Sequence, residues 1–196
     1  MARRQQEKSM ETHDELRASA IHFFGEKGFN TTTISEITEH AGYAKGNFYR
    51  YWKSKDDLFL SIMEEKYRLY RARRVDSLNQ ASSMDDVIGV IIDFLEQILD
   101  DGKWARVFLE FTIHASGNDE VRKELNKSFY RLSSDLFADI VAPHRREPVY
   151  PSKKLGGIVT ALFEGFLIQI LLGSNSIDKE DLRTAIRTLV LHIDNP

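Results

Sequence analysis

Two helices of about nine residues each, divided by a single glycine, are written into residues 33–52. No other feature of this 196-residue chain limits its fold as strongly. The stretch reads TISEITEHAGYAKGNFYRYW. Thr33 and Glu36 have the spacing of a capping box, in which each side chain satisfies an exposed backbone N–H of the other residue. Ile34, Ile37 and Ala41 supply an apolar face, and Gly42 stops the helix. The second helix is predicted over residues 44–52. Phe48 and Trp52, four apart, form its packing face. Lys45, Tyr49 and Lys53 form a separate stripe of two ammonium groups and a phenol, suited to phosphate oxygens. Gly46 and Asn47, at the helix start, allow close backbone approach and an amide contact to a base edge. A short helix, a glycine turn and a second short helix make the helix-turn-helix pattern, whose second helix fits the DNA major groove.

Helical spacing runs through the rest of the chain, and no strand-like alternation survives. Residues 1–11 are polar and are expected to fray. A helix is predicted over 12–27, with Leu16, Ala20, Phe23 and Phe24 as its stripe and Gly28 as its stop. After the second short helix, Ser54 caps a long helix expected to reach about Leu78, with Asp56 and Asp57 favoured in its first turn. Further helices are predicted over 84–99, 103–115, 120–141, 153–172 and 178–192. The longest loop, 142–151, holds Pro143, Pro148 and Pro151, three of the four prolines.

The chain has no cysteine, so disulfides, thiolate zinc sites and cysteine nucleophiles are excluded. The six histidines lie too far apart in sequence for a helical metal pair. There is no HExxH, no Gly-x-Ser-x-Gly and no phosphate loop. No enzyme, metal or cofactor is expected. The basic N-terminus has no apolar run behind it, and residues 158–173 fall short of a membrane span. A soluble, cytoplasmic protein without a membrane partner is expected. The net charge of −3 hides an asymmetry. Residues 1–75 carry 14 Lys and Arg against 11 Asp and Glu, and residues 76–196 carry 13 against 19. A polyanion would meet the N-terminal part.

Residues 16–58 resemble the DNA-binding domain of TetR-type transcriptional regulators. The resemblance rests on Ala20, Phe24, Gly28 and Phe29; on Thr32, Thr33 and Ile37; on Ala41 and Gly42; on Lys45, Gly46, Tyr49 and Tyr51; and on the run from Lys53 to Leu58. It implies an all-α fold with an N-terminal three-helix DNA-binding domain, residues 1–54, and a C-terminal effector-binding and dimerisation domain, residues 55–196. It implies contact with double-stranded operator DNA through Thr33, Tyr43, Ala44, Lys45, Gly46, Asn47, Tyr49, Lys53 and Lys55. Tyr51 is divided between core and phosphate. Arg3, Arg4 and Lys8 could form an arm, although simple solvation is favoured. Trp52 stands where Phe is common. Ala44 stands where Ser or Thr often caps the recognition helix, so that cap is missing.

The resemblance also implies a homodimer built on the last two helices. Two features of the sequence agree with it. Residues 156–173 are apolar nearly all round, and Gly157, Ala161 and Gly165 are small and four apart. With Ile168, and with Leu182, Ile186 and Leu189 from the last helix, they make the expected interface. A small hydrophobic or aromatic effector is expected among Trp104, Phe108, Phe111, His114, Phe129, Phe137, Phe163, Phe166 and Gln169. Residues 144–147, HRRE, suit a solvated loop better than an anion site. The implied function is a repressor on a palindromic operator, released when the effector tilts the long helix that starts near Asp56. A helical adaptor without DNA binding is the alternative, and the Lys45/Tyr49/Lys53 stripe argues against it.

Overall fold

The computed structural model describes residues 2–145 and 148–194, and it is all-α: no strand occurs among the described residues. The helices are α1 (Ala2–Lys27), α2 (Ile34–His40), α3 (Lys45–Phe48), α4 (Lys55–Ala72), α5 (Val75–Gln80), α6 (Met84–Asp100), α7 (Gly102–Ser116), α8 (Asp119–Leu125), α9 (Leu132–Val141), α10 (Ser152–Leu171) and α11 (Lys179–His192). A π-helical segment, Asn126–Arg131, joins α8 to α9. Two compact units result: residues 1–66 with 106–122, and residues 67–105 with 123–196. The expected division after Ser54 follows chain order. The units do not, because most of α7 packs with the N-terminal helices.

In the first unit α1 starts at Ala2, not near Thr12 as expected. Its first turns are built from good helix formers, and the Tyr51 hydroxyl donates to the Ser9 carbonyl at 2.9 Å. Leu16, Ala20 and Phe24, at i, i+4 and i+8, are fully buried. Helices as short as α2 and α3 are marginal alone. They form here because Ile37 and Phe48 enter the same core. Gly28 ends α1 at φ +89°, and a Cβ there would collide with the Glu110 carboxylate of α7. That carboxylate accepts the Phe29 N–H at 2.9 Å. Phe29 is fully buried. Its ring lies 5.5 Å from Phe24, 5.3 Å from Phe59, 5.0 Å from Phe111 and 5.1 Å from His114. The cap of α4 is the expected one: Ser54 Oγ accepts the Asp57 N–H at 3.1 Å. The helix stops at Ala72, short of the predicted Leu78, and a turn at Arg73 and Arg74 leads into α5.

In the second unit α11 lies on α6. Lys179, Arg183 and Arg187 pair with Asp100, with Asp93 and Glu96, and with Asp85, so the two helices run antiparallel. Of residues 144–147, expected as a solvated loop, Arg145 departs from that reading. Arg145 is buried and holds Asp194 at 2.5 Å, Ser152 Oγ at 2.7 Å and the Tyr150 carbonyl at 3.0 Å; Arg146 and Glu147 lie outside the described residues. The apolar stretch expected to fall short of a span sits in α10, a 20-residue helix long and apolar enough to cross a membrane by length and composition. It packs on α9 and α11, yet only 33% of its most apolar window is buried within the chain.

Phe29→Ala removes a fully buried ring and should destabilise the protein by about 3–5 kcal/mol. Denaturant unfolding checks it; Phe29→Leu should cost clearly less.

Candidate nucleic-acid interface and apolar cavity

The second short helix is briefer than its sequence suggests. α3 covers Lys45–Phe48, and turns with i→i+3 bonds carry the chain through Tyr51 to Trp52. Ala44 stands at its N-cap with no side-chain cap bond. The Asn47 amide instead donates to the Ala44 carbonyl at 3.3 Å. Phe48 and Trp52 are buried. Trp52 stacks on His13 at 4.8 Å and donates from Nε1 to Ser61 at 3.0 Å. On the other side Lys45, Gly46, Tyr49 and Lys53 are exposed, Tyr49 at 52%. Asp57 accepts the Lys53 backbone N–H at 2.9 Å, but no carboxylate pairs with the ammonium of Lys45 or Lys53 among the described residues.

Three other residues of the expected interface are engaged within the first unit. Lys55 does not point a free ammonium at solvent. Its Nζ donates to the carbonyls of Phe29, Thr32 and Asn30, at 2.7, 2.8 and 3.3 Å, and lies 4.3 Å over the Phe29 ring. All three N–H donors are taken, and burial pushes its pKa down. Lys55 therefore holds the loop between α1 and α2, a role its place in the sequence motif does not reveal. The Tyr43 hydroxyl donates to Glu15, which pushes the phenol's pKa up. Thr33 forms the capping box with Glu36, and Lys27 also binds Glu36. These contacts, with the Lys27 bond the largest, lower the Glu36 pKa from 4.5 to about 2. Tyr51, divided between two roles by sequence, is half-buried with its hydroxyl on Ser9. Arg4 and Lys8 are exposed on α1; the side chain of Arg3 lies outside the described residues.

The second unit contains an apolar cavity with an empty volume of about 610 Å³, part of it open to solvent. Three of the nine predicted effector residues line it: Phe129, Phe137 and Phe163. The other six do not. Phe111 stacks on Phe59 at 4.2 Å in the core of the first unit, and His114 Nε2 meets Asp56 at 2.7 Å at the half-buried edge of that unit. Phe108, Trp104 and Phe166 are buried outside the lining, and Gln169 is half-buried outside it. The missed side of the cavity is aliphatic and comes largely from α6, through Ile91, Phe94, Leu95 and Ile98. Their i, i+3, i+4, i+7 spacing is a signal that was present. It is a second apolar stripe beside Val87, Ile88, Ile92 and Leu99, which fill the core.

The expected dimer residues divide. Gly157, Ala161, Gly165 and Ile168 lie together on the exposed face of α10, beside Leu162 and Leu172. Leu182 and Ile186 do not join them. They are 6% and 1% exposed, because α11 turns its apolar stripe inward toward α6 and α10, and Leu189 is half-buried. Ala185 and Thr188 occupy the outer face instead. Helical periodicity finds the stripe but not the neighbour that covers it.

Residues 16–62 match the family model described as bacterial regulatory proteins, tetR family. A fatty acid metabolism regulator protein of Bacillus subtilis (strain 168) is 23% identical over 109 residues, 56% of this chain and 56% of that protein, so the match spans little more than half of the relative. Among solved structures, the transcriptional regulator FadR of B. subtilis, in complex with stearoyl-CoA, has a TM-score of 0.71 at 17% identity, covering 92% of this chain and 98% of that one. The flavonoid-responsive regulator FrrA has a TM-score of 0.67 at 17% identity, covering 92% and 94%. These likenesses show the shared fold, an N-terminal helix-turn-helix domain followed by a helical domain.

Glu36 is ionised in the folded state down to about pH 2, whereas its unfolded counterpart protonates near 4.5. Asp86, held by Ser83 and Ser82 at the cap of α6, behaves alike, with a pKa lowered from 3.8 to about 2. A lowered folded pKa stabilises above the unfolded value and loses that effect as pH falls through the folded one. Thermal stability should therefore drop between about pH 4.5 and 2, and Glu36→Gln should flatten the drop in a melting series over that range.

Proposed function

From a chain that belongs, through its residues 16–62, to the tetR family of bacterial regulatory proteins, we infer a cytoplasmic transcriptional repressor that binds a palindromic operator as a homodimer and is released by a small apolar effector. The observation that carries DNA binding is the Lys45, Tyr49 and Lys53 surface. Buried Phe48 and Trp52 fix its backbone, and no acid neutralises its lysines among the described residues. Lys45 and Lys53 make phosphate contacts, Tyr49 adds a phenolic donor, and Gly46 with Asn47 faces the bases. Tyr43 and Thr33 reach DNA only by exchanging their bonds to Glu15 and Glu36. Lys55 positions the helices and is not a contact.

The exposed apolar face of α10 supports the dimer. It brings Gly157, Ala161, Gly165 and Ile168 against their own copies about a two-fold axis, as an isologous interface requires. Two copies then present α3 to successive major grooves about 34 Å apart or farther. The cavity lined by Phe94, Phe129, Phe137 and Phe163 is the effector site. Tyr67 at that cavity and Lys55 at the α1–α2 loop belong to one uninterrupted helix, α4. An effector that prefers the DNA-incompetent arrangement of α4 lowers operator affinity; one with equal preference changes nothing.

Selection from fragmented genomic DNA should enrich one inverted repeat. Its affinity should fall steeply with salt. Lys45→Ala and Lys53→Ala should each reduce the log–log salt slope by about 1. Lys55→Ala should lower the melting temperature instead, since its donors serve the fold. No enriched repeat, or slopes unchanged in both lysine variants, would refute the reading.

A further inference from the structure

The apolar cavity continues past the residues that form its wider part. A second space, of about 380 Å³, shares Tyr67, Ile91, Phe94, Leu136 and Ile140 with the first. The two adjoin across these shared walls, as two arms of an apolar channel along α9. From Ser133 to Ile140 the lining follows α9 for roughly 10 Å at its normal rise, and Phe129, on the π-helical segment before it, extends the lining further. At the wide end the walls are Phe137, Gly156, Val159 and Phe163. The hydroxyl of Thr160 there is already engaged by the Gly156 carbonyl at 3.0 Å. No buried side-chain nitrogen or oxygen lacks a partner among the described residues. Ser133 adds one hydroxyl and Tyr67 one phenol to an otherwise apolar lining, so an effector with several polar atoms would lose more hydration in this part of the channel than it regains. A methylene chain loses nothing.

The other end differs. Its lining adds Leu78, Val90 and Arg74. Arg74 is the only charged side chain in the lining of both spaces among the described residues. The break in the helix after Ala72 makes Arg74 the residue on which α5 begins. Its guanidinium lies 4.1 Å over the Phe94 ring and donates to Gln97 Oε1 at 3.1 Å. Stacking and that hydrogen bond fix the plane of the group, and a fixed fork of N–H donors matches a carboxylate or a phosphate.

We propose that this channel takes a single-chain amphiphile with an anionic head: the chain lies among Phe94, Leu136, Phe137 and Phe163, and the head meets Arg74. The proposal rests on the effector reading given above and names the effector's chemistry. A fatty acid and the thioester of a fatty acid with a phosphate-bearing carrier share that chemistry.

The full chain is titrated with dansyl-labelled undecanoate, a fluorescent carboxylate. Laurate, lauroyl-CoA and methyl laurate then compete for it. On the unsubstituted protein laurate or lauroyl-CoA should compete at least about tenfold better than the uncharged ester, the factor expected of a charge-assisted pair. The stronger of the two identifies the source of the head group. Arg74→Gln should remove the difference and leave the ester's affinity unchanged. Leu136→Trp, at the junction of the two spaces, should weaken all three; its folding is checked by its melting curve and by operator binding. If the ester competes as well as the acid and the thioester, or Arg74→Gln affects all competitors alike, the anionic head is wrong. The chain assignment is wrong if none competes while a compact uncharged compound releases the operator from the unsubstituted protein but not from Leu136→Trp. That outcome leaves the effector reading standing. The effector reading itself fails if operator release by every compound survives Leu136→Trp unchanged.

Discussion

Phe29 follows a glycine in the left-handed region, and its ring fills the space where three helices meet. Phe24 comes from α1, Phe59 from α4, and Phe111 and His114 from α7. Its backbone N–H is held by Glu110 and its carbonyl by Lys55. A loop residue so enclosed fixes the entry into α2, because Thr33 begins the capping box only four residues later. α2 and α3 are too short to hold themselves, so their orientation is set by this core. The exposed basic stripe is then a consequence of packing: the aromatic faces of Phe48 and Trp52 leave Lys45, Tyr49 and Lys53 nowhere to go but outward.

The same core explains why two kinds of lysine occur within a few residues. Lys53 and Lys55 are both cations in a motif that looks uniformly basic. Lys55 begins α4 beside the carbonyls of residues 29, 30 and 32, and it is partly desolvated by them. Lys53 precedes the helix and stays in water. One builds the surface and the other presents charge on it. In the second unit the division is between apolar faces. α6 turns one stripe to the core and another to the cavity, and its acids meet the bases of α11.

Local chemistry was legible in the sequence. The Thr33 capping box, the stops at Gly28 and Gly42, the missing cap at Ala44 and the anchoring role of Phe48 and Trp52 each depend on neighbours within a few residues. What was not legible depends on distant partners. Nothing near Phe111 or His114 in sequence tells that they pack with Phe29 and Asp56, and aromatic character alone does not separate a cavity wall from a core. Leu182 and Ile186 form a clear stripe, but periodicity does not say whether α6 or a second copy covers it. Gly157, Ala161 and Gly165, small and four apart in the sequence, lie on the exposed face of α10. The aliphatic half of the cavity comes from a helix that is apolar on two sides, and aromatic content alone does not mark it.

The central claim is that residues 106–122, distant in sequence from the helix-turn-helix, are part of the unit that holds it in place. Native-state hydrogen exchange tests this directly, since segments that unfold together lose protection with the same free energy. The buried stretch of α7 from Val107 to Ala115 should open together with the Phe24 and Phe59 turns of α1 and α4. Opening together with α6 and α10 instead, while α1 and α4 stay closed, would contradict the account.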